Sequence, residues 1–415
     1  MNKKLTEWFP IIIVILLIFQ NVLQSIIGVF RYYDEFFLLI FLLNIPKIIK
    51  EKKYKVSQSD KLIIAAHIVI LVTGLLGNVL FQYQNIKYVC QDILTCLKFW
   101  AALYYFKIIF SQYGLEKNKK LYKILIWIIY GLCILSILNY LSNIFPYEIR
   151  YGIKSNQNIF GHPTYLCASS VFIYLLISLS TVIEKKEKTK FMIATLLIIT
   201  STLRSKAFVF VALASLLYYM IVIKRKKITT KILVAAAIAS SLICLNQIRF
   251  YFFNPSDITA RSALVTTSIK IANDHFPIGS GFGTFGSNAS KINYSPIYQK
   301  YEINNVWGMT QTDGAFISDN FWPMIIGQFG YIGFAAFIVL IITIFNLIQK
   351  TYNNDIHMYY GSIMAFLYLL ISSTTESAFV NPLAIMFALI IGYSLNTKER
   401  KYEKKTKSKY SSTDI

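Results

Sequence analysis

Residues 323–348 read PMIIGQFGYIGFAAFIVLIITIFNLI, 26 positions without one charged side chain. A helix needs about 20 predominantly apolar residues to cross the hydrocarbon of a bilayer, so this run reads as a spanning helix. Outward from it, comparable runs cover 8–30, 36–48, 62–82, 88–110, 124–145, 162–183, 191–203, 207–223, 232–248, 358–373 and 377–396. The expected fold is all-α: a polytopic membrane helix bundle of about 12 spans, with one large, partly helical outer loop between spans 9 and 10. The second and seventh runs are short. Arg204-Ser205-Lys206 separates the seventh from the eighth, which points to a tight hairpin or a broken pair.

Composition agrees. Of 415 residues, 55% are hydrophobic and only 15% charged, against about a quarter charged in a soluble domain. Mean hydropathy is +0.52. These values exclude an ordinary soluble enzyme, a disordered chain and a nucleic-acid-binding domain. The first run, Trp8 to Phe30, lacks a small-residue cleavage site and exceeds a signal-peptide core, so it is expected to be retained. Cys90, Cys96, Cys133, Cys167 and Cys244 lie in or beside apolar runs and read as small buried hydrophobes. His67, His162, His275 and His357 are too dispersed for a metal motif, so no metal site is expected.

The net charge of +22 is mostly topology. With the N-terminus inside, 29 of the 42 basic residues fall in cytoplasmic segments, as the positive-inside rule requires. Both termini are then cytoplasmic. Residues 1–396 form the membrane domain. Residues 397–415 form a basic cytoplasmic tail expected to lie near anionic lipid headgroups.

The outer segment 249–322 is the longest stretch without a spanning run. Long loops in compact proteins are commonly functional or disordered. Its fourteen aromatic residues argue against disorder and offer flat platforms for sugar rings. Val265, Ile269, Ala272 and Phe276 recur at helical spacing. Asn254-Pro255-Ser256-Asp257 marks a start and Pro277 a stop, with Arg261 in the first turns. Residues 281–286 then match GxGxxG, but no βαβ unit surrounds them, so the dinucleotide reading fails. What remains is a plain turn, or one whose N–H groups at Gly281 and Gly283 approach an anion.

Arg204 interrupts two apolar runs. It is either a snorkelling turn residue or a phosphate ligand, since a guanidinium forks onto two phosphate oxygens. Asp313 and Asp319 are the carboxylates available for activating a hydroxyl, although Asp319 also suits a helix cap. Glu376, at the outer turn between the last two spans, is a third candidate or a solvated turn residue. His162 and His275 are weaker candidates. Asp92 and Lys98 are candidates for a pair inside the bundle.

These stretches resemble the superfamily of O-antigen ligases and Wzy-type polysaccharide polymerases. Thr202-Leu203-Arg204-Ser205-Lys206-Ala207 is similar to that family's Ser-Arg segment. Arg261, with Pro277-Ile278-Gly279-Ser280-Gly281-Phe282-Gly283-Thr284-Phe285, is similar to its Arg-helix-Pro-Gly pattern. Ser318-Asp319-Asn320-Phe321-Trp322 looks like the polar step opening the next helix. The resemblance implies metal-independent, cofactor-free glycosyl transfer at the outer face of the bacterial plasma membrane. The donor would be an oligosaccharide on undecaprenyl pyrophosphate, held by Arg204, Arg261 and the glycine turn. Ligases of the family typically carry His-Asn where this chain has Asp319-Asn320, which favours a polymerase acting in capsule, exopolysaccharide or O-antigen synthesis. A regulator of chain length is an expected partner. The alternatives are a ligase moving a finished glycan to another acceptor, a lipid-linked oligosaccharide flippase, or a structural membrane protein.

Overall fold

The computed structural model describes residues 3–51, 54–229 and 258–396, with 231, 232, 235, 238 and 249 as isolated positions. The predicted ninth span lies almost wholly outside the described residues. Cys244, the predicted helix start at 254–257 and the basic tail lie wholly outside them.

The described chain is mostly helical. Its first half comprises α1 (Lys3–Ile18), α2 (Gln20–Ile26), α3 (Tyr33–Lys50), α4 (Gln58–Phe81), α5 (Ile86–Ile108), α6 (Lys119–Ser142), α7 (Pro163–Leu179), α8 (Lys185–Ser201) and α9 (Ser205–Leu217). After the masked region follow α10 (Ala260–Asp274), α11 (Asn288–Ile292), α12 (Ile297–Lys300), α13 (Phe321–Thr351), α14 (Ile356–Ser372) and α15 (Ala384–Leu395). Each predicted span within the described residues overlaps helical structure. By length and composition, however, four are long and apolar enough to cross a membrane: α4, α6, α9 with its π-helical extension to Ile223, and α13. The number rises to six if the bent pairs at α1–α2 (73°) and beyond α5 (44°) each count as one span. The predicted span 8–30 is thus broken, and 377–396 is helical only from Ala384.

Three apolar helices, α7, α14 and α15, are shorter. At 17 residues, α7 measures about 25 Å. It is buried almost all round, from Leu166 through Leu179, as befits a helix that is hydrophobic on every side. These helices form the centre of the main core, where Tyr174, Phe210, Tyr360 and Tyr368 are fully buried. Tyr174 and Tyr360 satisfy their hydroxyls on each other at 2.6 Å.

Charges inside the bundle are paired, as burial in a dry interior demands. Lys98 pairs with Asp34 at 2.9 Å and with Glu35; it does not pair with Asp92. The Asp92 carboxylate accepts the Gly283 N–H at 2.8 Å. Lys107 meets Asp60 at 3.0 Å. Of the described cysteines, Cys167 is buried, Cys96 and Cys133 are half-buried and Cys90 is exposed, contrary to the expectation for that residue.

The expected all-α architecture also contains a two-stranded antiparallel hairpin, β1 (Glu148–Arg150) and β2 (Ile153–Ser155), pairing Glu148 with Ser155 and Arg150 with Ile153. Tyr151 and Gly152 both have positive φ, the backbone of a two-residue hairpin turn. Strands of three residues leave too short an alternation to detect in sequence.

Of the segment expected to lie outside, residues 258–322 are folded. Leu264, Ile271, Phe285, Ile297, Tyr298, Met309 and Ile317 form a second, separate core. Helix α10 occurs as predicted, but its buried face carries Ala263, Leu264, Thr267, Ser268, Ile271 and Ala272, while Ile269 and Phe276 are exposed. The apolar spacing misplaces the face because Thr267 and Ser268 are small enough to bury; Ser268 Oγ donates to the Val265 carbonyl at 2.7 Å. Its N-cap is Thr259, whose Oγ1 accepts the Ser262 N–H at 3.3 Å.

Candidate active site at the helix ends

Several helix ends meet in one place: the start of α7, the junction of α8 with α9, the starts of α10 and α13, and the end of α14. The segments joining them carry the polar residues. Arg204 is the extended residue between α8 and α9, after Leu203 with φ of 51°. Its Nη2 donates to Glu148 Oε1 at 3.0 Å, and Arg150 Nε donates to the other oxygen, Oε2, at 3.1 Å. Glu148 and Arg150 sit two positions apart on β1 and share a face. The hairpin is anchored beside Arg204 by the Asn156 N–H, which donates to the Ser201 carbonyl at 2.9 Å. His162 Nδ1 accepts the Thr164 N–H at 3.2 Å, capping α7, and Nε2 lies 3.3 Å from the guanidinium. Arg204 is 13% exposed, and its buried Nε has no hydrogen-bond partner among the described residues.

The second half of the cluster is built on Arg261, at the first turn of α10. Its Nη2 lies 3.4 Å from Asp319 Oδ2 and 3.4 Å from the Thr375 carbonyl. Lys206, two residues beyond Arg204, pairs with Glu376 at 2.7 Å. Asp319 does not cap α13. The N-cap is Asn320, which makes no side-chain capping bond, and the Phe321 N–H donates instead to the Ser373 carbonyl at 3.2 Å. Ser377 Oγ donates to the Ser318 carbonyl at 2.7 Å, and Trp322 Nε1 to Ser373 Oγ at 3.0 Å. These bonds tie 318–322 to the turn 373–377 and bring Asp319 and Glu376 into one electrostatic neighbourhood.

Two carboxylates of the cluster, Asp319 and Glu148, are tuned in opposite directions. Burial pushes Asp319 above the usual carboxylate range; Arg261 opposes this and Glu376 adds to it. Burial also works to raise Glu148, but Arg204 and Arg150 outweigh it and hold the group below its ordinary value. Burial and the neighbouring Arg204 charge lower His162. Carboxylates displaced in opposite senses within one site suit different tasks: Glu148 remains a permanent anion, whereas Asp319 is the better proton acceptor. The contacts at 3.4 Å exceed the usual N–H···O range, and an arginine that forks onto a carboxylate forks equally onto a phosphate. The cluster thus sets two arginines among carboxylates, one of which, Asp319, burial holds above its ordinary range.

The structure leaves other predicted site residues out of this cluster. Asp313 is exposed, with its N–H bonded to Thr310 Oγ1 at 2.9 Å. The glycine turn packs against α4, α5 and α13, and its N–H groups are consumed there. Helix α13 breaks at Gly330 (φ 60°, ψ −163°). The break frees carbonyls that accept the turn: Ser280 N–H donates to Gly327 O at 3.0 Å and Gly281 N–H to Gln328 O at 2.9 Å. Phe282 N–H goes to Asn78 Oδ1 and Gly283 N–H to Asp92, both at 2.8 Å. Gly281 and Gly283 are therefore packing residues here and present no N–H to an anion. His275 is held by Tyr83 at 3.1 Å and by the Ile271 carbonyl at 2.8 Å. Conversely, sequence reading overlooked Glu148 and the pairing role of Lys206. The one available signal was an acidic residue two positions from Arg150 in a short polar segment.

No curated protein matches the chain. The family model described as O-antigen ligase matches residues 190–338, a stretch holding Arg204, Lys206, Arg261 and Asp319, with Glu148, His162 and Glu376 outside it. Residues 190–338 are thus similar to the O-antigen ligase family, one of membrane glycan processing of the ligase or polymerase type, in a chain that carries several apolar helices of membrane-spanning length.

Proposed function

We propose that the protein polymerises undecaprenyl-pyrophosphate-linked oligosaccharide repeat units at the outer face of the bacterial plasma membrane. The observation that carries this reading is the Arg261–Asp319 contact, joined electrostatically to the Lys206–Glu376 pair two residues beyond Arg204. Polyprenyl pyrophosphate is an activated leaving group, so transfer needs no nucleotide. Charge builds on the diphosphate as the anomeric C–O bond breaks, and preorganised cations stabilise it. Arg204 and Arg261 take that role. Asp319 accepts the proton of the attacking hydroxyl on a second lipid-linked unit. Attack at the anomeric carbon inverts its configuration, and the diphosphate leaves on the arginines.

Donor binding also readies the base. A diphosphate drawing Arg261 away removes the charge that lowers Asp319, so the carboxylate becomes more basic as the donor arrives. Lys206 and Glu376 set the remaining local field. Asp319, where ligases of this family typically carry histidine, favours polymerisation over ligation.

The test supplies purified protein with a lipid-linked repeat unit and nothing else. A polymerase yields a ladder of longer lipid-linked products. Products formed only when a different acceptor is added would establish a ligase, and the absence of any new glycosidic bond would leave the flippase reading.

A further inference from the structure

A lipid-linked donor joins an isoprenoid, a diphosphate and a sugar in fixed order. Beside Arg204 lies a cleft of about 410 Å³ between Phe145–Glu148 and Gln157–His162. Glu148 and His162 line it and also touch Arg204, so the cleft adjoins the cation expected to hold the diphosphate. Gln157, also in its lining, is only 6% exposed, yet its side-chain amide makes no hydrogen bond to any described residue. Its amide nitrogen and oxygen are not enclosed by protein but open onto the cleft itself. Its neighbour Asn158 instead turns inward, donating to the Leu132 carbonyl at 3.2 Å and accepting the Ile159 N–H at 2.8 Å. An amide that faces a cleft with no protein partner is available to a ligand seated there.

We propose that this cleft is the subsite for the sugar bonded directly to the diphosphate. The proposal rests on the donor reading above. One amide offers two donors and an acceptor, which match two neighbouring hydroxyls of a pyranose. Tyr147, 40% exposed, lends a ring face. Glu148 oxygens, each holding one arginine bond, retain lone pairs for a sugar hydroxyl. The neighbouring surface fits the same order. Along β2 runs a second cleft of about 320 Å³, lined by Ile137, Leu141, Ile153 and Leu203. Leu203 immediately precedes Arg204, so an isoprenoid there, a diphosphate at Arg204 and a sugar beyond β1 follow the donor's covalent sequence.

The test measures equilibrium binding to the full-length protein in lipid nanodiscs. The probes are bare undecaprenyl diphosphate and the same lipid bearing one hexose, one N-acetylhexosamine or one 6-deoxyhexose. At least one sugar-bearing probe is expected to bind about tenfold more tightly than the bare lipid. Gln157→Leu should erase that gain and retain the affinity for the bare lipid, which also reports that the variant is folded. Wild-type protein binding every sugar-bearing probe no better than the bare lipid overturns the subsite and leaves the donor reading standing. Failure to bind the bare lipid diphosphate overturns both. A photoreactive group on the sugar supplies a check that needs no variant: cross-links in wild-type protein should map to 145–162, and cross-links confined elsewhere overturn the assignment.

Discussion

Arg261 and Asp319 are 58 positions apart in the chain, yet Nη2 of the first lies 3.4 Å from Oδ2 of the second. Helix α10 delivers one and the entry to α13 the other. The contact joins the cation proposed to grip the leaving group with the carboxylate proposed to take the proton, so changes at either residue are expected to register at both.

Replacing Arg204 or Arg261 by alanine should lower polymer formation by at least about 100-fold, the scale for losing one preorganised donor to developing charge. Protein levels in the membrane should be unchanged. Lysine at either position should recover only part of the rate, because an ammonium cannot fork onto two oxygens. Ladder formation by purified protein measures this, and wild-type chain lengths in either alanine variant would refute the diphosphate role.

Asp319→Asn should slow transfer by roughly 10²–10⁴-fold, the usual worth of a positioned base. In the wild type, activity should fall as pH drops through the Asp319 pKa, which burial places above the ordinary carboxylate range. The asparagine variant should lose that acid limb. A variant keeping both the wild-type rate and the limb would assign the proton to another group.

Glu376→Gln shifts the same limb in a direction fixed by charge. The Glu376 carboxylate raises Asp319 and Lys206 lowers it. Removing the anion while leaving Lys206 charged lowers the Asp319 pKa, so the acid limb should move to lower pH. A rate-against-pH profile reads the shift; movement to higher pH would contradict the placement.

Gly281→Ala should impair folding, not binding. The position has φ of +101°, and an added Cβ would lie 2.5 Å from the backbone nitrogen of Asn78 on α4. A loss of at least about 2 kcal/mol is expected, seen as a lower midpoint in thermal unfolding of the detergent-solubilised protein.

Orientation is checked at Asp313. In a Cys90→Ser background, a cysteine at this exposed position should react with a membrane-impermeant maleimide applied to intact cells. Reaction only after the membrane is permeabilised would put 249–322 inside and remove the proposed meeting of arginines and diphosphate.

Arg204, Asp319 and Glu376 were readable as candidates because charge near the end of an apolar run is conspicuous, and Arg261 because it opens a predicted helix that leads to the Pro-Gly stretch. Glu148 carried no such contrast: it lies in a short polar segment, and its importance comes from Arg204, 56 positions away. The GxGxxG stretch invited the opposite error. Its glycines are demanded by close approach to α4 and by the break in α13, and nothing local distinguishes that demand from an anion-binding turn.

What the chain determined alone is where its helices lie, since hydrocarbon rewards long apolar runs, a property summed over neighbouring residues. The face α10 buries, the partner of each carboxylate and the fate of the glycine N–H groups were settled only in three dimensions. Those outcomes depend on how helix ends converge, and that convergence is set by packing between segments far apart in sequence.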